Sequence, residues 1–182
     1  TRFASVYPAL TRIHEDTPLT GRTVEAVSAR GKHLLIQFGG GLALRTHLRL
    51  SGSWHLYRPG ECWQRPHAEL RILIATADFE AVAFNVPVAE FLTAPALARQ
   101  RELRALGPDL LAVSFDAAAA LERLRACAHA TIESALLDQR AVAGIGNVYK
   151  SEVLFACRVH PFSRVASLSD VQLAGLLAAA RA

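Results

Sequence analysis

The period of the hydrophobic pattern changes near residue 93, and that change limits the fold more than any other feature. Before it, apolar residues alternate in short runs broken by Gly and Pro. After it, they recur at helical spacing in segments rich in Ala and Leu. Close-spaced period-2 runs call for an antiparallel sandwich or barrel, and 3.6-period runs for packed helices. The chain is therefore expected to be α+β. An N-terminal antiparallel β-sandwich domain spans 1–93, a linker 94–106, and an all-helical domain 107–182. With 52% hydrophobic and 20% charged residues, the 182-residue chain can bury a core and is not of disordered composition. No apolar run is long enough to span a bilayer as a helix.

In the first half, Thr23 to Ala29 and His33 to Phe38 flank Arg30-Gly31-Lys32, which reads as a hairpin with a basic tip. Residues 1–20, punctuated by Pro8 and Pro18, read as loop with at most one strand. Leu42 to Leu50 reads as a strand with Arg45, His47 and Arg49 on one face and leucines on the other. Such a basic face suits a phosphate backbone, and the pattern alone also fits a solvated outer face. Trp54 to Tyr57, Glu69 to Ala75 and Phe79 to Val88 read as further strands, the last ended by Pro87.

In the second half, Ser114 reads as the cap of a helix running through Cys127, with Asp116 in its first turn. Ser167-Leu168-Ser169-Asp170 reads as a capping box opening a last helix. Between them, Leu136 to Phe155 is a helix, a polar cluster, a Gly144-Ile145-Gly146 turn, Asn147 and a second helix. Asn147 reads as an N-cap, and the glycines as points of close approach. A helix tip with free amides and no acidic residue is an anion site that a phosphate fits. The same spacing also suits a helix corner packed for structure alone.

The net charge of +4 and pI near 9.3 suit an anionic partner. Cys62, Cys127 and Cys157 are dispersed and odd in number, so no zinc site or disulfide framework is readable. A reducing cytoplasm is the expected location.

The Leu136 to Phe155 run, with Gly107-Pro108-Asp109 before it and His160-Pro161 after it, resembles the helix–two-turns–helix domain of the formamidopyrimidine-DNA glycosylase and endonuclease VIII family. Arg30-Gly31-Lys32-His33-Leu34-Leu35 resembles that family's lysine-bearing hairpin. His47-Leu48-Arg49-Leu50-Ser51-Gly52-Ser53-Trp54 resembles its base-wedge strand and loop. The blocks occur in the family's order. The resemblance implies base-excision repair: flipping of a damaged base, cleavage of its glycosidic bond, and β,δ-elimination through a Schiff base on an N-terminal proline amine.

The same resemblance implies roles for individual residues. Lys32 matches the hairpin lysine that contacts phosphate and donates a proton during elimination. Asn147 matches the phosphate-binding asparagine, with the Gly146 amide beside it, and Lys150 follows on the same helix. His47 and His67 match backbone-contacting histidines. Leu50 matches the wedge that fills the void left by the flipped base, and Arg49 is placed to bond the orphaned base. Arg104 lies near a DNA-contact position, one residue out of register. Asn85 to Phe91 lacks the arginine-bearing run of the 8-oxoguanine enzymes. The chain thus looks more like the endonuclease VIII branch, which prefers oxidised pyrimidines, and its Gly-Asn-Val-Tyr-Lys spelling resembles actinobacterial members.

The chain departs from the family pattern at both ends. It begins Thr1-Arg2-Phe3, without the Pro-Glu pair, and Thr1 aligns inside the family's N-terminal domain. The expectation is a longer enzyme, with a Met-Pro-Glu-Gly-like start upstream. A four-cysteine finger holding a structural zinc, or its remnant, is expected downstream. The alternative is a catalytically inactive damaged-DNA-binding relative. These 182 residues alone are not expected to carry out the glycosylase reaction. The expected partner is damaged or abasic double-stranded DNA, bound by a monomer, with no membrane and no cofactor in these residues.

Overall fold

A computed structural model describes residues 1–182 as two compact units, Thr1–Arg99 and Gln100–Ala182.

The first unit contains eight strands: β1 (Arg2–Ser5), β2 (Val24–Arg30), β3 (His33–Phe38), β4 (Leu42–His47), β5 (Ser53–Tyr57), β6 (Leu70–Ala75), β7 (Glu80–Phe84) and β8 (Val88–Thr93). They form two four-stranded antiparallel sheets, in the orders β1-β6-β7-β5 and β2-β3-β4-β8. Ile36, Phe38, Leu42, Leu44 and Phe91 from one sheet share a core with Ile72, Ile74 and Ala83 from the other. The period-2 alternation along β6 and β7 sends Ile72, Ile74 and Ala83 into that core. Val82 and Phe84, with Tyr57, form a second cluster on the opposite face. The unit is therefore a β-sandwich.

Three sequence expectations fail in this unit. Residues 8–16, read as loop, form helix α1 (Pro8–Asp16), whose Leu10 is buried in the sandwich core. Pro8 sits at the start of that helix, where a missing N–H costs nothing, so it opens the helix instead of breaking it. The run read as one strand from Phe79 to Val88 is broken at Asn85, in left-handed conformation at φ 49°, and resumes as β8 beyond Pro87. Arg45 does not lie on a solvated basic face. Strand β4 is interior to its sheet, with Leu35 and Glu90 as the cross-strand neighbours of Arg45. Arg45 is buried, its Nε 2.5 Å from Glu90 Oε1.

The stretch at 94–106 contains two short helices, α2 (Ala94–Arg99) and α3 (Arg101–Arg104), which the boundary between the units separates. The second unit continues with α4 (Ala117–Ala126), α5 (Ile132–Leu137), α6 (Asn147–Ala156) and α7 (Asp170–Ala179). Their apolar faces meet in one core that includes Leu124, Ile132, Leu136, Ile145, Leu173 and Leu176. Two caps lie two residues later than the sequence suggests. Asp116, not Ser114, caps α4, accepting from the Ala119 amide. Ser169 caps α7 in a box closed by Gln172. In both places several polar residues compete for the cap, and only the one followed directly by helical backbone can serve. No helix is long and apolar enough to cross a membrane.

Candidate nucleic-acid interface

In the strand unit, pairing of Arg30 with His33 leaves Gly31-Lys32 as a two-residue hairpin loop, with Gly31 at φ 57°. The loop holds Lys32 half-buried, and that burial lowers its ammonium pKa below the usual lysine value of 10.5. On the adjacent strands His33 faces His47, their rings edge-on at 4.9 Å. The Arg49 amide donates to His47 Nδ1 at 3.1 Å, so Nδ1 is the acceptor and Nε2 is left as a donor.

Beyond His47 the strand ends. Arg49 is not a strand residue but turns at φ 51°, a left-handed conformation that costs about 1 kcal/mol for a side chain of its kind. The Gly52 amide closes the loop on Leu48 O at 2.9 Å, and a Cβ on Gly52 would lie 2.6 Å from that same oxygen. Glycine is therefore needed there. Leu50, at the loop tip, is 101% exposed. A fully exposed leucine on a strained, closed loop has no packing role, and a wedge needs just that presentation. His67 is exposed and packs against Trp63, their ring centroids 4.4 Å apart and the planes tilted by 31°.

In the helical unit the connection from α5 to α6 is held by Gln139. Its Nε2 donates to Leu137 O at 3.0 Å and Ile145 O at 3.1 Å, and its Oε1 accepts from the Gly144 amide at 3.1 Å. Gly144, at φ 107°, makes the turn. The segment from Gly107 to Leu110 straps this connection from outside. The Gly107 amide donates to Gln139 O, the Ala143 amide to Pro108 O and the Leu110 amide to Ala143 O. Replacing Gln139 with Ala removes three hydrogen bonds and is expected to cost about 1–3 kcal/mol. Thermal melting of the variant checks this, and an unchanged midpoint would count against the staple.

The tip so held begins at Gly146, which is the N-cap of α6 in extended conformation. Asn147 is its first residue and makes no capping bond, contrary to the sequence reading. Helix geometry leaves the amides of Asn147, Val148 and Tyr149 without an intrahelical acceptor, and no acidic residue lies in the first turn. A Cβ on Gly146 would meet no atom within 4 Å, so the backbone at the tip is open to a ligand. The Asn147 side chain is exposed and accepts from Lys150 Nζ at 2.9 Å. Lys150 itself is buried and 3.5 Å from Glu133 Oε2, so it is not presented to solvent as a ligand for an anion. Arg104 is exposed at the end of α3.

Lys32, His47, Arg49, Leu50 and His67 thus lie in the strand unit, while Gly146, Asn147, Lys150 and Arg104 lie in the helical unit. Sequence reasoning missed Gln139 and Glu133. Gln139 was visible within the polar cluster before the Gly turn, but Glu133 carries no signal of its own. No three His, Cys, Asp or Glu side chains are grouped as a metal ion would require.

A two-sheet sandwich followed by a helix–two-turns–helix tip defines the class of fold. The profile of the formamidopyrimidine-DNA glycosylase N-terminal domain matches residues 6–87, and that of the H2TH domain of the same enzymes matches residues 106–182. The chain belongs to the formamidopyrimidine-DNA glycosylase and endonuclease VIII family. It is 46% identical over 151 residues to a probable endonuclease 8 2 of Streptomyces coelicolor, covering 82% of this chain and 54% of that protein. It is 36% identical over 155 residues to the DNA-(apurinic or apyrimidinic site) lyase Nei2 of Mycolicibacterium smegmatis, covering 84% of this chain and 58% of that one. The chain therefore spans little more than half the length of these relatives. Among solved structures, the Lactococcus lactis formamidopyrimidine-DNA glycosylase bound to abasic-site DNA matches with a TM-score of 0.80 and 26% identity. That match covers 99% of this chain and 69% of the other.

Proposed function

We propose that these residues are the DNA-gripping part of a base-excision-repair glycosylase and abasic-site lyase. Its substrates are oxidised bases, pyrimidines foremost, in double-stranded DNA. The observation that carries this is the open, pre-built tip at Gly146 and Asn147. Its free backbone amides and the Asn147 NH2 group are donors, as a phosphate requires. Lys32 supplies the second grip, a cation whose lowered pKa makes its proton easier to release during elimination. Leu50 is the apolar wedge that replaces the extruded base, flanked by Arg49. The amine that attacks the sugar carbon, assigned by family resemblance to an N-terminal proline, has no counterpart among residues 1–182.

The test has two arms. Borohydride trapping on abasic duplex with a full-length protein beginning Pro-Glu is expected to give a covalent adduct. Its absence would overturn the lyase reading, and binding without nicking would favour the inactive relative. With the 182-residue protein, Lys32→Ala and Asn147→Ala are each expected to weaken binding to abasic-site duplex about tenfold. For Lys32→Ala the salt slope should also fall by roughly one. Because burial lowers the Lys32 pKa, its charge is lost as pH rises, at lower pH than the ordinary lysine value of 10.5. The gap between wild type and Lys32→Ala should close over that interval.

A further inference from the structure

We infer that Lys150 is a positioning residue, buried beneath the tip of α6, which fixes the face of the Asn147 amide that a ligand meets. The inference rests on the reading of Asn147 as a phosphate ligand, and it assigns Lys150 a part other than touching phosphate.

An asparagine side chain can present either its oxygen or its NH2 group to a partner, and only the NH2 attracts an anion. Lys150 lies three residues after Asn147, on the same side of the helix, with Nζ 2.9 Å from Asn147 Oδ1. An ammonium group has donors and no acceptor, so only the amide oxygen can face it. The two N–H donors of Asn147 are then turned away from Lys150, on an exposed side chain at the open end of the helix.

The arrangement is unfavourable for stability. Lys150 is only 8% exposed, and it stands in the first turn, where the helix dipole already places positive charge. The structure compensates with Glu133 of α5, whose Oε2 is 3.5 Å from Nζ. Glu133 thereby ties the two helices of the motif together under the tip. It also offsets the charge of Lys150, leaving little for a distant phosphate to feel. A methionine or leucine would fill a buried site at lower cost. What the lysine provides, and an apolar residue does not, is a fixed orientation of Asn147.

The experiment compares wild type, Lys150→Met, Lys150→Arg, Asn147→Ala and the Lys150→Met/Asn147→Ala double variant, all in the 182-residue protein. Binding to a duplex containing a tetrahydrofuran abasic-site analogue is followed by fluorescence anisotropy across a salt series. Lys150→Met is expected to weaken binding about tenfold, as Asn147→Ala does, with no further loss in the double variant. Lys150→Arg, which also offers only donors, should restore most of the affinity. The salt slope should stay at its wild-type value in Lys150→Met. A slope lower by about one would make Lys150 a direct phosphate ligand and overturn the inference. Wild-type affinity in Lys150→Met, or a loss that persists without Asn147, would overturn it too.

A second readout needs no DNA. The protein has two asparagines, Asn85 and Asn147, and hence two asparagine side-chain NH2 pairs in 15N–1H spectra. Lys150→Met should move the Asn147 pair, Lys150→Arg should move it less, and Asn85 should stay in place. An unmoved Asn147 pair would overturn the positioning role. Loss of DNA binding by the wild type would instead count against the proposed function and leave the spectra to decide this one.

Discussion

Gly107→Ala is expected to destabilise the helical unit by about 3 kcal/mol or more. A Cβ at that position would lie 2.5 Å from Arg140 O and 2.7 Å from Ala141 C, and closer still to Ala141 O. All three are backbone atoms of the connection between α5 and α6, so no flexible side chain can move aside. Gly107 also donates its amide to Gln139 O, which anchors the strap from Gly107 to Leu110. Relief of the clash therefore pulls the strap from the turn and disturbs the residue that holds the turn's interior. Calorimetry should show the helical unit melting earlier. An unchanged profile would mean that the strap is not part of the folded unit's stability.

Glu90→Ala is expected to have the next largest effect, a loss of about 3 kcal/mol from the strand unit. The Arg45 side chain is 6% exposed and that of Glu90 is 37% exposed, with Nε and Oε1 2.5 Å apart. Removing the carboxylate takes the compensating charge from a guanidinium inside a sheet. The partial exposure of Glu90 keeps the loss at the lower end for broken buried pairs. Adding Arg45→Met, which removes the buried charge as well, should recover much of the loss. Denaturant midpoints of the two single variants and the double variant measure this coupling. A double variant no better than Glu90→Ala would show that the pair is not the source of the cost.

The residues whose environment follows from local periodicity were legible in the sequence. The Gly31-Lys32 hairpin, the inward Ile72 and Ile74, and the helix, turn and helix about Gly144 needed only spacing and turn chemistry. Arg45 was misplaced because alternation tells which residues share a face and not whether that face meets water. An interior strand with a cross-strand glutamate hides it. Helix α1 was missed because Pro8 has opposite meanings at the first helical position and in the interior. Asn147 shows a finer limit. Cap and first helical residue are neighbours, and only the backbone angles of Gly146 tell which is which. The link between Lys150 and Asn147 was accessible in principle, since a spacing of three brings side chains together on a helix. The contribution of Glu133 was not, because it comes from a different helix.

The Gln139 side chain satisfies the interior of the turn with the protein's own groups. The row of free amides at the α6 tip is thus in place before any partner approaches. A visiting anion sheds water and surrenders its own mobility, but it does not have to organise the backbone that receives it. On the proposed function, capture of a phosphate at this point is expected to proceed at the pace of encounter, quickened by low salt.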